Sequence, residues 1–379
     1  MSTLNDFLYR RIHLYKAEFY AYVNSEIVSP LGVSDLIRQR RNLPRSISST
    51  QIYLHLKTWD GIEGWFRPLS RWSNVRLSKI IKLIGLLGRY TSIADAVKIL
   101  KPFWFQNSTN CAAIDCVLWD IICREEGLPL WRVLSDVQVE IRSNPPFYGS
   151  VLGLSLQNID VLTNVFADNY PLAKWTLDRE TSIDKQISEI MSLNIALNYI
   201  ALDAHGSLEL PDLEKIFDLA PNLAWLEDPF PSDNDFIWNK IGALSNRQFP
   251  PLVVGEDISS IDGLNKFSAL SVVQAVNIEV ERLGITRSVL VLENLKAQKR
   301  RCHLHGRSIV LSSHLSIAYP EVVFWVEVHL AFALERLITI HYPKSDLDPR
   351  NIVCYCLEQM GIGVKPTIEL KPSVFGILI

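Results

Sequence analysis

The alternation of hydrophobic and polar positions changes character near residue 145. Before that point, residues 1–60 carry short β-prone runs interrupted by a polar, basic stretch, Ser34–Arg45. Thr58–Phe66 reads Thr-Trp-Asp-Gly-Ile-Glu-Gly-Trp-Phe, an Asp-Gly turn between apolar flanks, and predicts a β-hairpin. From about Ser78 to Leu134 the pattern is helical. Within it, Cys111–Arg124 (CAAIDCVLWDIICR) predicts a strongly amphipathic helix stopped by Gly127 and Pro129.

After residue 145, short apolar or β-branched runs recur at intervals of roughly 25–35 residues, separated by helical or polar stretches. They are Phe147–Leu152, Leu172–Leu177, Tyr199–Asp203, Ala224–Glu227, Leu252–Glu256, Val272–Glu279 and Arg307–Ser313, with Val322–Glu327 as an eighth. Strand–helix units in this number predict a parallel sheet, and closure into a barrel is its economical form. The expected fold class is therefore α/β: a TIM-type (β/α) barrel over residues 136–345 and an α+β domain over 1–135. The run Val364–Ile379 is again β-like, so a tail of residues 346–379 is expected to pack back on the N-terminal layer.

Composition narrows the function classes. The 379 residues include 38 Lys and Arg against 41 Asp and Glu, a formal charge of −3. No basic excess exists to neutralise a phosphate backbone, so nucleic acid is not an expected partner. The most apolar stretches are broken by charge, Ile80–Leu87 by Lys82 and Val322–Leu334 by Glu327 and His329. None reaches the roughly 20 residues a bilayer span requires, and the N-terminus has no apolar core of signal-peptide length. The six cysteines form no Cys-x-x-Cys pair and read as buried free thiols, so a soluble cytoplasmic protein is expected.

Three predicted strands finish on an acidic residue: Ile-Ala-Leu-Asp203, Trp-Leu-Glu227 and Val-Val-Gly-Glu256. In a barrel, the C-terminal strand ends open into one shared mouth. A carboxylate at a single strand end usually caps the following helix. Three in consecutive units would repel one another at that mouth unless a cation lay between them. Oxygen donors with no nearby thiol select a hard ion, Mg²⁺.

The segment Cys111–Leu134, with Asp203, Glu227 in Trp-Leu-Glu-Asp-Pro, Glu256 in Val-Val-Gly-Glu-Asp, and the later runs Glu-Arg-Leu-Gly-Ile-Thr, Ser-Ser-His-Leu and Phe-Trp-Val-Glu, resembles the enolase superfamily in its mandelate racemase branch. The resemblance covers roughly residues 50–340. It implies an α+β capping domain over a modified (β/α) barrel, with Asp203, Glu227 and Glu256 as the Mg²⁺ ligands. It also implies a homo-oligomer and a small-molecule carboxylate substrate that loses the proton next to its carboxylate. That proton is too weakly acidic for a side-chain base alone, and a divalent ion stabilises the charge that develops.

Acid–base residues decide the reaction within the resemblance. The second strand usually carries Lys-x-Lys, and here reads Lys174-Trp-Thr176. Lys174 is expected near the substrate carboxylate, while Thr176 cannot act as a base, which weakens a two-base racemase. Asn277-Ile-Glu279-Val-Glu281 lacks the sixth-strand Lys of muconate cycloisomerases. His205, two residues after Asp203, falls on the same side if the strand continues that far. The Asp-x-His pattern resembles sugar-acid dehydratases in which the His protonates the departing hydroxyl. His314 resembles the seventh-strand general base, oriented by Glu279 or Glu281, and His303 and His305 are expected at a helix end before that strand. Glu327 resembles the eighth-strand acid that bonds the substrate. Arg38–Arg45 occupies the usual place of the capping domain's specificity loop. The expected activity is Mg²⁺-dependent dehydration of a sugar acid to a 2-keto-3-deoxy acid. The alternatives are a racemase or epimerase on the same site, and a non-catalytic homologue acting as a binding module.

Overall fold

Chain order alone accounts for most of the architecture in the computed structural model. It describes residues 4–24, 49–66, 74–135, 145–151, 170–177, 181–192, 199–243, 250–305, 308–329, 361 and 371–378. The basic stretch Arg38–Arg45 lies outside these residues, as do Cys354 and Cys356.

The N-terminal part opens with α1 (Leu4–Leu8), β1 (Ile12–Asn24), β2 (Ser49–Thr58) and β3 (Glu63–Phe66). The strands β2 and β3 form the expected hairpin, antiparallel with Leu54 opposite Phe66, across the Asp60-Gly61 turn. Next come α2 (Asn74–Leu87), β4 (Tyr90–Thr91) and α3 (Ile93–Leu100), the last capped by Ser92, which accepts from the Asp95 N–H. A single 3₁₀ turn leads into α4 (Trp104–Glu126), which ends at Gly127 in the left-handed conformation, followed by α5 (Leu130–Leu134).

The helix α4 departs from the expected amphipathic character: every residue from Asn110 to Cys123 is buried. The two acidic residues of this buried stretch are satisfied inside the protein. Asp120 accepts from the Trp65 N–H and pairs with Arg124, and Asp115 accepts from the Thr286 N–H and Oγ1. Paired carboxylates let a helix with Asp on two faces be covered all round. The cysteines it carries, 111, 116 and 123, are free and buried, as is Cys302.

The barrel then runs β5 (Phe147–Val151), β6 (Ala173–Thr176), α6 (Ile183–Ser192), β7 (Ile200–Asp203), α7 (Leu210–Leu219), β8 (Trp225–Glu227), α8 (Asp235–Ala243), β9 (Leu252–Val254), α9 (Ile261–Ser268), β10 (Val273–Glu279), α10 (Val280–Ala297), β11 (Arg301–His305), α11 (Ile309–Ala318) and β12 (Val323–His329). The eight strands β5–β12 pair in parallel and close, β12 returning to β5 with Val326 opposite Phe147. Seven of them fall where the apolar runs predict. The seventh does not: β11 is Arg301–His305, and the predicted run 307–313 forms the start of the buried helix α11.

Alternation along each strand separates two cores. Ile200, Leu202, Leu226, Leu252, Val276, Ile278 and Val326 face the surrounding helices. Tyr148, Leu172, Ala201, Trp225, Val253 and Ala275 fill the inside of the barrel. One step of two further along, the inward positions become Ser150, Lys174, Asp203, Glu227, Asn277, His305 and Glu327, so the apolar plug carries a polar layer on its C-terminal side.

The strand β13 (Lys371–Leu378) pairs antiparallel with β1, giving a sheet in the order β13–β1–β2–β3 with β4 on the other stretch of β1. Of the expected tail, Lys371–Leu378 thus lies on the N-terminal sheet. Gly361 also bridges back to Pro129. Among the described residues, no helix is long and apolar enough to cross a membrane.

A carboxylate-rich candidate active site at the barrel mouth

Two local devices bring Asp203, Glu227 and Glu256 to the mouth. Asp203 and Glu227 are the final residues of β7 and β8 and lie side by side in register. Glu256 lies beyond the end of β9, because Gly255 breaks the strand with φ +140°. A Cβ at Gly255 would sit 2.5 Å from the Asn277 carbonyl, so only glycine allows this exit. The loop is then clamped by Asp228, whose carboxylate accepts the N–H groups of Gly255 at 2.8 Å and Glu256 at 3.2 Å. Asp228 is itself held at φ +38°, and burial raises its carboxyl to about 7. No motif in the chain marks Asp228 beyond its place after Glu227.

His205 arrives by a turn rather than by strand continuation. The strand β7 stops at Asp203, and His205 takes a left-handed conformation with φ +46°. Its backbone N–H donates to Asp203 Oδ1, and its Nδ1 lies 3.3 Å from that oxygen and 3.1 Å from Glu256 Oε2. The bond to Glu256 is the main reason the ring is raised to about 9, against the opposing effect of burial.

Lys174 stands in the middle of the cluster, wholly buried. Its Nζ lies 3.2 Å from Asp203 Oδ2, 2.5 Å from Glu227 Oε1 and 2.9 Å from Glu327 Oε1. Burial alone would lower the ammonium, but the carboxylates of Glu227 and Glu327 outweigh it and hold Lys174 well above its ordinary value. Burial raises the Glu227 carboxyl while Lys174 draws it back, and Trp225 Nε1 donates to its other oxygen at 3.1 Å. Burial likewise raises Glu256, yet His305, His205 and Lys174 keep it well below the usual carboxylate range.

The histidine that the structure brings to this mouth from β11 is His305, not His314. His305 Nε2 lies 3.0 Å from Glu327 Oε2, 3.8 Å from Glu256 Oε1 and 4.0 Å from Glu227 Oε1. Burial would lower the ring, but Glu327 and Glu256 raise it to about 10. His314 lies nine residues on, inside α11, fully buried, with its Nδ1 accepting the Trp131 N–H at 3.4 Å. The expectation that His314 serves as the seventh-strand base is corrected by this shift of the strand, and the expectation that His303 and His305 end a helix falls with it. Glu279 is the register partner of His305, and its carboxylate pairs with Arg282 at 3.1 Å. Glu281 lies buried in the first turn of α10.

The donor chemistry fits a hard divalent ion. Ligand atoms of Asp203, His205 and Glu256 lie within 4.8 Å of one another, and so do those of Glu227, Glu256 and His305. Glu256 belongs to both sets, so the three carboxylates from consecutive units share one mouth. Carboxylate oxygens with no thiol among them suit Mg²⁺ or Mn²⁺.

Comparison with known proteins agrees with this architecture. Residues 163–370 match the family described as enolase C-terminal domain-like. A protein of Caldivirga maquilingensis named "Putative L-rhamnonate dehydratase" is 26% identical over 276 residues, which is 70% of this chain and 66% of that protein, just under two thirds of its length. The crystal structure of L-talarate/galactarate dehydratase from Salmonella typhimurium LT2 superposes with a TM-score of 0.67 at 18% identity, covering 97% of this chain and 93% of that one. A racemase from Streptomyces coelicolor A3(2) with bound magnesium gives a TM-score of 0.61 at 17% identity, over 74% of this chain and 87% of that one. The barrel, its capping sheet and the extent of the family match identify the chain as a member of the enolase superfamily, in the mandelate racemase/muconate lactonizing enzyme family.

Proposed function

We propose that this protein dehydrates a sugar acid: it removes the proton next to the substrate carboxylate and expels the neighbouring hydroxyl as water, leaving a 2-keto-3-deoxy acid. The observation that carries this reading is the gathering of Asp203, Glu227 and Glu256 at one mouth beside two histidines, His205 and His305. The dehydratases among the relatives, named for L-rhamnonate and for L-talarate/galactarate, point to the same substrate class.

Asp203, Glu227 and Glu256 would hold Mg²⁺. When bound, the ion supplies electrostatic stabilisation to the negative charge that builds on the substrate as its α-proton leaves. His305 takes that proton on Nε2. It must be neutral to do so; Glu327 and then Glu256 raise it, and a cation held by Glu256 would remove the second of these contributions. His205, raised to about 9, arrives protonated and gives its proton to the departing hydroxyl oxygen. Glu327 and Lys174 flank the substrate carboxylate, Glu327 also holding the His305 ring, while the Glu279 carboxylate is held by Arg282.

Neutral groups complete the pocket for a hydroxylated substrate. Ser150 Oγ, Thr176 Oγ1 and both amide atoms of Asn277 are buried at the inward positions and have no hydrogen-bond partner among the described residues. A site that must bond hydroxyls discriminates strongly against substrates that lack them.

The test is a panel of aldonic and aldaric acids incubated with the protein and Mg²⁺, scored for 2-keto product and for deuterium uptake from D₂O. Product formation is expected with one or a few acids. The His305→Asn variant is expected to lose turnover by at least 10²–10⁴-fold, the usual contribution of a general base. Deuterium exchange without loss of water would replace dehydration by racemisation or epimerisation. Full activity in His305→Asn would remove His305 from the chemistry.

A further inference from the structure

Four carboxylates meet at this mouth, and their nearest fixed positive charge comes from the protein itself. Lys174 is buried, 1% exposed, and its Nζ contacts Asp203, Glu227 and Glu327 at 3.2, 2.5 and 2.9 Å. Two of those three are the residues assigned above to a divalent ion. An ammonium and a divalent ion cannot both be drawn fully onto the same oxygens, because they repel each other at such short range. Glu327 is different: it contacts Lys174 and His305 but belongs to neither set of clustered metal-binding atoms.

We propose that Lys174 is a resident cation that holds Asp203 and Glu227 together before a divalent ion arrives, competes with the ion for them, and turns to Glu327 once it is bound. This rests on the metal reading of Asp203, Glu227 and Glu256 given above. Lys174 thereby trades metal affinity for a barrel that folds without metal. The fourth carboxylate serves as the station to which the displaced ammonium retires, close to the position a substrate carboxylate would take.

The experiment compares the wild type with Lys174→Met, both stripped by chelation, measuring the thermal midpoint without metal and the affinities for Mg²⁺ and Mn²⁺ by calorimetry. Lys174→Met is expected to have the lower metal-free midpoint. It is also expected to bind Mg²⁺ about tenfold tighter or more, since a neighbouring charge of the ion's own sign is gone. Added Mg²⁺ then raises its midpoint more than it raises that of the wild type. Equal or weaker binding by Lys174→Met overturns the competition while leaving the metal reading intact. Absence of divalent binding by either protein overturns the metal reading and the competition together. Should Lys174→Met not fold without metal, the double variant Lys174→Met/Glu227→Gln, which drops one charge of each sign, is expected to fold. Its failure would overturn the counterion role.

Discussion

His55 and Asp228 show how a single side chain can set a measurable property far from, or just behind, the chemistry. His55 is buried in β2, stacked on Trp65 with ring centroids 4.1 Å apart. Burial lowers its pKa from 6.5 to about 4, only partly offset by Glu63 and Glu18. The unfolded chain therefore takes up a proton below about pH 6.5 that the folded protein refuses until about 4. The stabilisation is complete above pH 6.5 and is lost as pH falls through that window, to a total of about 3 kcal/mol. In urea unfolding from pH 7.5 to 4, the stability of the wild type relative to His55→Phe is expected to fall by this amount, with a difference in slope of close to one proton. Asp228 acts on the mouth without entering it, by fixing the backbone that carries Glu256. Asp228→Ala is expected to weaken Mg²⁺ affinity by about 10–100-fold, measured by calorimetry, as loss of a group supporting a ligand commonly does.

At the level of elements, periodicity exposed the barrel but misplaced one of its staves. Strands such as Ile200–Asp203 announce themselves because both faces are apolar up to the mouth, where an acid appears. The strand β11, Arg-Cys-His-Leu-His, hides its nature, since Cys302 and Leu304 face the helices while His303 and His305 face inward. Four residues on, Ile309–Ile317 is buried on every side as a helix, and a short apolar run cannot by itself tell buried helix from buried strand. That ambiguity put the expected seventh-strand base at His314, while the histidine β11 brings to the mouth is His305. The three carboxylates proposed as metal ligands were legible because strand ends are marked by apolar runs. Asp228 and the turn at His205 were not, because their placement depends on left-handed backbone that no local pattern advertises. The joint between α4 and α10 makes the same point. Gly284, at φ +75°, lies so close to Asp115 that a Cβ would fall 2.7 Å from Oδ2, and Asp115 also accepts from Thr286, which accepts in turn from Trp119 Nε1. Gly284→Ala is expected to cost about 1–3 kcal/mol of stability in thermal or urea unfolding, through strained backbone and a displaced carboxylate.

Across the whole molecule, the capping sheet is built from both ends of the described chain. Leu378 and Ile377 of β13 lie beside Lys16 and Ala17 of β1, and β2 takes the other edge. Removing residues 371–379 would bare a long edge of β1, a ready template for intermolecular pairing. Such a truncation is expected to lower the thermal midpoint by roughly 5 °C or more and to raise light scattering on heating. The arrangement also bears on biosynthesis. The ribosome delivers β1 before any stave of the barrel, yet β13 emerges only after every one of them has been made. The nascent sheet therefore waits with one flank open while the barrel is made, and the interval before β13 arrives is when a chaperone has most to protect.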